Sequence, residues 1–205
     1  MLTEYLTLAT APNRARDVAT AIAALPRTGP AAGIEAGFTA MIGGSINALH
    51  LLLRAGDATA LDAAAQAILS VDGALQVTRQ PLTPVQERNL PALAPDGAMY
   101  TNRWFHVRDA GTDAFEADTL AAWDAFEAGT DTQVVGLWKA PAQDGVTAHL
   151  LIARYADLAA WDASRFWNRG AEDQTADWVE RFRRRREQMT DSSVIATTCL
   201  FGPAR

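Results

Sequence analysis

The chain has 205 residues, of which 49% are hydrophobic and 20% charged, and its formal net charge is −6. A chain of this length and apolar content can build one large domain or two small ones. The modest negative charge provides no concentrated basic face for a phosphate backbone, so we expect no nucleic-acid partner.

Two periodicities alternate along the first 80 residues, one typical of strands and one typical of helices. The predicted elements are, in order, a strand over 2–8, a helix over 14–25 with Asn13 as its N-cap, strands over 34–42 and 46–53, a helix over 58–69 and a strand over 74–78. Gly43 and Gly44 favour a hairpin turn between the middle strands, because glycine adopts the positive φ angles that a tight turn requires. Residues 1–80 therefore predict a β-α-β-β-α-β unit, the first ferredoxin-like repeat.

Prolines are frequent over residues 81–97, which predicts an extended linker rather than a helix or a central strand. The same order of elements then returns over residues 98–205, the second predicted ferredoxin-like repeat. Its predicted elements are a strand over 100–107, a helix over 113–128 capped by Thr112 or Asp113, strands over 134–139 and 146–154, helices from Leu158 and over 175–189, and a strand over 194–201. The second repeat differs mainly by a longer C-terminal helical insertion.

The two repeats align with nearly constant spacing, which indicates an internal duplication. An offset of 99 residues places the strand 3–8 on residues 102–107. Beyond the hairpin turn the offset becomes 100, so that Asp57 falls on Asp157. One single-residue change within a turn, with coherent offsets on both sides, is hard to obtain by chance.

A four-stranded sheet with both helices on one face leaves its other face bare, and two such sheets placed face to face enclose a barrel-like cavity. We therefore expect an α+β fold built from two antiparallel sheets. Strand alternation directs Leu6, Leu8, Phe105 and Val107 towards the helices. The residues expected to line the cavity are Tyr5, Thr7, Thr39, Asn102, Trp104, His106 and Trp138.

The first hairpin resembles the NIPSNAP family in its glycine-rich turn, the asparagine that follows, the apolar strand and the closing basic residue. In this chain the segment is GFTAMIGGSINALHLLLR, over residues 37–54. The segment RYADLAAW, over 154–161, is similar to the family's strand-to-helix junction. The resemblance covers most of the chain, in two copies. It implies a ferredoxin-like, dimeric α/β-barrel fold, which is shared with cofactor-free monooxygenases and haem-degrading enzymes.

His106 is the candidate catalytic residue among three histidines, because it shares the predicted cavity side of its strand with Asn102 and Trp104. A neutral imidazole beside aromatic rings can act as a general base, or it can simply be hydrogen-bonded at a domain interface. Trp104 and Trp138 are expected either to contact a ligand or merely to fill the cavity. The histidine spacing matches no metal-ligand pattern, so we expect neither a metal site nor a cofactor.

The run RFRRRR over residues 181–186 concentrates positive charge in an otherwise acidic chain. The acidic residues around it are Asp173, Asp177, Glu180 and Glu187. Their presence indicates a solvated helix face that carries balanced charges, and the alternative is an anion or phosphate patch.

The single cysteine, Cys199, lies in an apolar strand pattern and is interpreted as a small buried hydrophobe. The first residues lack the pattern of a secretory signal, and no apolar run is long enough to span a bilayer. We therefore expect a cytoplasmic protein with no membrane partner.

Two hypotheses of function follow from the sequence. The first is a small-molecule-binding protein that holds an aromatic or hydrophobic ligand, with a cofactor-independent monooxygenase or isomerase as its catalytic form. The second is a non-catalytic interaction or assembly module, whose bare sheet faces serve only to pair with one another. Pairing within one chain and pairing of chains as a homodimer are both open.

Overall fold

A computed structural model describes residues 1–168, 170, 174 and 176–203 of the chain. The strands in these residues are β1 (Leu2–Thr10), β2 (Ile34–Ile42), β3 (Ala48–Ala55), β4 (Ala74–Glu87), β5 (Met99–Arg108), β6 (Thr132–Lys139), β7 (Val146–Tyr155) and β8 (Met189–Phe201). The helices are α1 (Ala15–Ala23), α2 (Ala58–Leu69), α3 (Thr112–Gly129), α4 (Leu158–Ala163) and α5 (Asp177–Gln188). Among these described residues, no helix has the length and apolar character needed to cross a membrane.

Hydrogen bonds order the strands as β4-β1-β3-β2 in the first half of the chain and as β8-β5-β7-β6 in the second. The two orders correspond strand by strand, as two ferredoxin-like units require. Neighbouring strands run antiparallel, for example in the pairs β1/β3 and β5/β7. Strand β2 also pairs with β8, and β6 with β4, so the strand order closes into an eight-stranded barrel. The predicted α+β fold class is therefore confirmed.

The chain divides into two compact units. Unit 1 comprises Met1–Thr83, Leu93–Gly97 and the described residues from Ile195 onwards. Unit 2 comprises Pro84–Ala92 and Ala98–Val194. Strand β4 therefore starts in unit 1 and ends in unit 2, whereas β8 starts in unit 2 and ends in unit 1.

Helices α1 and α2 cover one face of the sheet in unit 1. Leu6 and Leu8 of β1 are fully buried there, together with Val18 and Ile22 of α1 and Ala64 of α2. The two leucines therefore face the helices, as strand alternation predicts.

Helices α3 and α5 bury the corresponding sheet face of unit 2. Phe105 and Val107 of β5 pack against Phe115 of α3. Further along the same helix, Trp123 packs in a cluster that includes Trp178 of α5. The predicted orientation of Phe105 and Val107 towards the helices is confirmed.

Residues 81–87 differ from the extended linker that the proline-rich segment predicted, because they form the end of β4. Pro81 lies opposite Glu4 of β1 in the strand pairing. Only every second residue of an antiparallel strand bonds to a given neighbour, so a proline is tolerated where its nitrogen is not needed. The prolines of this segment therefore do not prevent residues 81–87 from forming regular strand structure.

The predicted N-caps of the first helix in each half are wrong. Asn13 has a positive φ of 63° and lies in the turn before α1, whose N-cap is Arg14. Helix α3 has Gly111 as its N-cap, so neither Thr112 nor Asp113 caps it. Both helices start without a side-chain cap, and their stability therefore depends more on packing of their apolar faces.

Equivalent aspartates cap the later helices of the two halves. The Asp57 side chain accepts a hydrogen bond of 2.9 Å from the backbone nitrogen of Ala60 at the start of α2. Asp157 accepts a bond of 2.8 Å from the nitrogen of Ala160 at the start of α4. The 100-residue offset of the sequence therefore corresponds to the same local geometry in both halves.

Cys199 of β8 is buried and unpaired with any other cysteine. Burial raises the pKa of its thiol to about 12, so that it stays protonated at neutral pH. Its interpretation as a small buried hydrophobe is confirmed.

Candidate functional site

A cavity of about 290 Å³ lies within unit 2, between the helix-covered face of the sheet and the helices. Thr101, Arg103 and Phe105 of β5 contribute the floor, since alternate residues of a strand share one face. Ala153 and Tyr155 extend this floor on the adjacent strand β7. Side chains of α3, α4 and α5 and the first residues of β8 complete the walls.

Four arginines line this cavity: Arg103 on β5, Arg165 just after α4, and Arg185 and Arg186 on α5. Helical spacing explains the position of Arg185, because it follows Trp178 by seven residues and Phe182 by three. Trp178 packs against the Phe182 ring at a centroid distance of 5.4 Å. The apolar face of α5 therefore carries a cation at its C-terminal end.

Arg185 is the most enclosed of these cations, with 8% of its surface exposed. Its guanidinium lies 4.0 Å from the centroid of the Phe182 ring and 4.9 Å from that of Phe105. Its Nη1 atom has no hydrogen-bond partner within the described part of the chain. Burial first, and then the like charges of Arg103 and Arg186, lower the pKa of Arg185 to about 9, so it remains charged at neutral pH.

Arg103 and Tyr155 occupy the floor of the cavity. Burial, and then the positive charges of Arg165 and Arg186, lower the pKa of Arg103, which a Coulombic contribution from Tyr155 partly offsets. Burial raises the pKa of Tyr155, and so the phenol stays protonated and able to donate a hydrogen bond. The floor therefore presents hydrogen-bond donors that carry a net positive charge.

Aromatic rings form the wall on the α4 side. The Arg165 guanidinium lies 4.0 Å from the centroid of the Trp161 ring and 5.3 Å from that of Trp167. The guanidinium of Arg186 lies 5.4 Å from the same Trp167 ring. Cations held against ring faces keep their planar donor groups fixed in orientation.

Arg181, Arg183 and Arg184 of the 181–186 run behave as the sequence predicts. Arg181 pairs with Asp177 at 2.6 Å, and Arg183 lies 3.6 Å from Glu180. Arg184 pairs with Asp118 of α3 at 2.5 Å. These side chains form a balanced face of α5, although the predicted contribution of Asp173 lies outside the described residues.

Arg185 departs from this prediction, because it is buried and lies at the cavity. The sequence contained a signal for it, since residues 178, 182 and 185 share one helix face and two of them are large aromatics. A solvated face was predicted for the whole run, and that interpretation is wrong for this residue.

The predicted site residues of unit 2 lie on the opposite side of the sheet from this cavity. Asn102, Trp104 and His106 alternate along β5 with the cavity residues, so they point away from the helices. Asn102 is fully buried, whereas Trp104 and His106 are half-buried. Trp138 of β6 is also fully buried, and its Nε1 donates a hydrogen bond of 3.0 Å to Glu87.

Two of the predicted site residues of unit 1, Tyr5 and Thr7, lie beside His50. Tyr5 is buried and its ring stacks on that of His50, with centroids 5.8 Å apart. The Thr7 hydroxyl lies 3.4 Å from His50 Nδ1. Thr39 is half-buried on β2, where it pairs with Leu49 of β3. His50, which the sequence did not place in a site, therefore joins Tyr5 and Thr7.

The sequence also did not predict a triad of Glu116, Lys139 and His149 in unit 2. The buried His149 Nε2 lies 2.9 Å from Glu116 Oε1 of α3, and the ammonium of Lys139 lies 3.0 Å from the same oxygen. Burial lowers the pKa of His149, which the hydrogen bond to Glu116 partly offsets. Because Phe115 packs on the imidazole and closes it off, the triad supports the fold rather than lining the cavity.

The chain matches no protein-family model and no curated protein sequence. Solved structures do share its fold. A protein of Lactobacillus acidophilus NCFM described as a "putative monooxygenase" superposes with a TM-score of 0.65 at 13% identity, over 97% of this chain and 93% of its own. An anthrone oxidase-like protein superposes with a TM-score of 0.58 at 12% identity, over 97% of this chain and 91% of its own.

A protein of Fusobacterium nucleatum subsp. nucleatum ATCC 25586, also described as a "putative monooxygenase", gives a TM-score of 0.57 at 7% identity, over 99% of this chain and 95% of its own. At identities this low the superpositions show a shared fold alone, and activity has to be argued from the site. The resemblance to the NIPSNAP family stays a prediction from the sequence.

Proposed function

We propose that this protein binds a small aromatic or hydrophobic molecule in the cavity of unit 2. The observation that carries the proposal is the cavity itself, about 290 Å³ in volume and walled largely by aromatic rings. This volume is near the lower end of the range of about 300–1,000 Å³ that is usual for ligand pockets. A ligand of one or two fused rings suits such a space.

Binding of the neutral dye N-phenyl-1-naphthylamine, followed by its fluorescence, tests this proposal. Ser192 of β8 lines the cavity and is exposed, so Ser192→Trp should block access without disturbing the core. We expect at least a ten-fold loss of dye affinity in this variant. Ser193→Trp is the matched control, because the neighbouring residue of a strand points to the other side.

Unchanged dye binding in Ser192→Trp, or no binding by the wild-type protein, would contradict the proposal. The second outcome would favour the alternative of a non-catalytic interaction or assembly module.

The NIPSNAP-like resemblance implies a fold that is shared with cofactor-free monooxygenases. We therefore propose, as a second and catalytic hypothesis, a cofactor-independent monooxygenase or isomerase reaction on the other face of the unit 2 sheet, away from the cavity. The names of the fold neighbours support it, as does the position of His106 beside Trp104 and Asn102 on one strand face. In this hypothesis His106 accepts a proton from an aromatic substrate that contacts Trp104 and Asn102. The ligand contacts of Tyr5, Thr7, Thr39 and Trp138 stay predictions from the sequence.

Oxygen uptake with anthrone as a probe substrate tests the catalytic form, since one fold neighbour is an anthrone oxidase-like protein. Conversion of anthrone and O₂ to anthraquinone and water requires removal of a proton from the central ring. We expect the wild-type protein to exceed the uncatalysed rate and His106→Ala to lose that excess. Unchanged uptake in His106→Ala would exclude this role, and His149→Gln, in the triad with Glu116 and Lys139, controls for loss of a histidine elsewhere.

A further inference from the structure

We propose that the cavity of unit 2 is a site for a small aromatic carboxylate, whose carboxylate group is bound by Arg103 and Arg185. This inference depends on the proposed function, which supplies a ligand, and it adds the charge and the chemical class of that ligand.

The cavity carries an unbalanced positive charge. No ion pair joins Arg103 or Arg185 to a carboxylate within the part of the chain that the structure describes. The described carboxylate that raises the pKa of Arg185 is that of Asp118. This carboxylate already pairs with Arg181 and Arg184. A buried cation without a partner is costly, and an anionic ligand would supply the missing partner.

One buried guanidinium in the cavity has unused hydrogen-bonding capacity. Arg185 Nη1 is buried and lacks a hydrogen-bond partner among the described residues. A guanidinium offers a planar pair of donors that matches the two oxygens of a carboxylate. The phenol of Tyr155 on the cavity floor stays protonated and neutral, so it does not compete with a carboxylate for the guanidinium.

The shape and lining of the cavity indicate what kind of group the ligand carries besides its carboxylate. Phe105, Phe126, Trp161 and Phe182 line it, and they favour a planar apolar body that stacks on their rings. The volume of about 290 Å³ leaves no room for a nucleotide or a coenzyme beside the charged group. An aromatic monocarboxylate satisfies both the cations and the rings.

Calorimetric titration with 2-naphthoate and with 2-naphthamide tests the inference, because these two probes share one shape and differ in charge. We expect 2-naphthoate to bind at least about ten-fold more tightly, as a charge-assisted hydrogen bond predicts. Its affinity should fall as salt concentration rises, whereas that of the amide should not.

The two arginines are tested by Arg103→Met and Arg185→Met, each of which should weaken 2-naphthoate by at least about ten-fold and leave 2-naphthamide unchanged. Arg183→Met is the matched control, because it removes one charge from the solvated side of α5. Arg103→Lys keeps the charge but loses the paired donors, so an intermediate loss is expected. It also provides a reading if Arg103→Met does not fold.

Equal affinity for the two probes would overturn the carboxylate site while leaving the proposed function intact. Failure of both probes to bind would overturn both. Binding of inorganic phosphate in place of 2-naphthoate, with the same dependence on Arg103, would overturn the aromatic class of ligand.

Discussion

Arg185 shows how one residue can lower the stability of a domain while preparing it to bind. Its aliphatic stem packs in the core of unit 2, and its charged end has no carboxylate partner among the described residues. Aromatic contacts with Phe182 and Phe105 offset part of this cost. Residues that oppose folding in this way are typical of binding sites, where a ligand supplies the missing interaction.

Arg185→Met should therefore raise the free energy of unfolding by about 1 kcal/mol in the absence of ligand, since a flexible apolar side chain fills the same space without a buried charge. Urea denaturation of the whole chain, followed by the fluorescence of the tryptophans in unit 2, measures the change. Arg183→Met should stay within about 0.5 kcal/mol of the wild type. A loss of about 2 kcal/mol or more in Arg185→Met would mean that the arginine is a structural support.

His50 should make the stability of the protein depend on pH. Burial lowers the pKa of its imidazole below the usual histidine value of about 6.5. Between the lowered pKa and 6.5 the unfolded chain binds more protons than the folded one, so the unfolding free energy falls as pH falls below 6.5 and is constant above it. Each pKa unit of lowering corresponds to about 1.4 kcal/mol.

Urea denaturation at several pH values between 8 and 5 checks this dependence in the wild type and in His50→Gln. The variant should lose stability less steeply below pH 6.5, and part of the slope should remain because burial also lowers the pKa of His149. Identical slopes in the two proteins would show that His50 does not titrate as its buried position implies.

At the scale of elements, the periodicity of the sequence predicted the order of strands and helices, but it did not predict the cavity of unit 2. Strand 34–42 and helix 58–69 have the predicted bounds, because each has a clear apolar pattern and a glycine or aspartate nearby that ends or starts it. The cavity depends on how α4 and α5 pack over β5, which is a tertiary property. Alternation predicts the position of Phe105 on the helix side correctly. Arg103 lies two residues earlier on the same side, where apolar periodicity gives no reason to expect an arginine.

The aspartate N-cap of α2 allows a test of how much side-chain capping stabilises the start of a helix. Asp57→Ala should lower the free energy of unfolding by about 1 kcal/mol, because the backbone nitrogen of Ala60 loses its acceptor at the start of α2. Asp57→Asn should retain most of that stability, since its side-chain oxygen can still accept. Asp72→Ala, which removes an exposed partner of Arg14, is the control and should change stability by less than about 0.5 kcal/mol. Thermal unfolding that ranks all three variants equally would contradict the capping role.

At the scale of the whole molecule, two long strands connect the compact units. Strand β4 pairs with β1 near its start and continues into unit 2, and β8 starts in unit 2 and pairs with β2 in unit 1. Proline frequency over 81–97 suggested a separation between two repeats, whereas the strand continues through Glu87. Because each of these strands continues from one unit into the other, we expect the two units to unfold as one cooperative system.

A substitution in unit 1 should therefore change the unfolding of unit 2. All six tryptophans of the chain lie in residues of unit 2, so their fluorescence reports on that unit alone. Leu6→Ala removes a fully buried side chain from the core of unit 1 and should cost about 2–5 kcal/mol. We expect the tryptophan-detected urea midpoint to fall together with the midpoint seen by far-ultraviolet circular dichroism. Leu2→Ala, at an exposed position of the same strand, should leave both midpoints unchanged, and a tryptophan midpoint unaffected by Leu6→Ala would show that the units unfold independently.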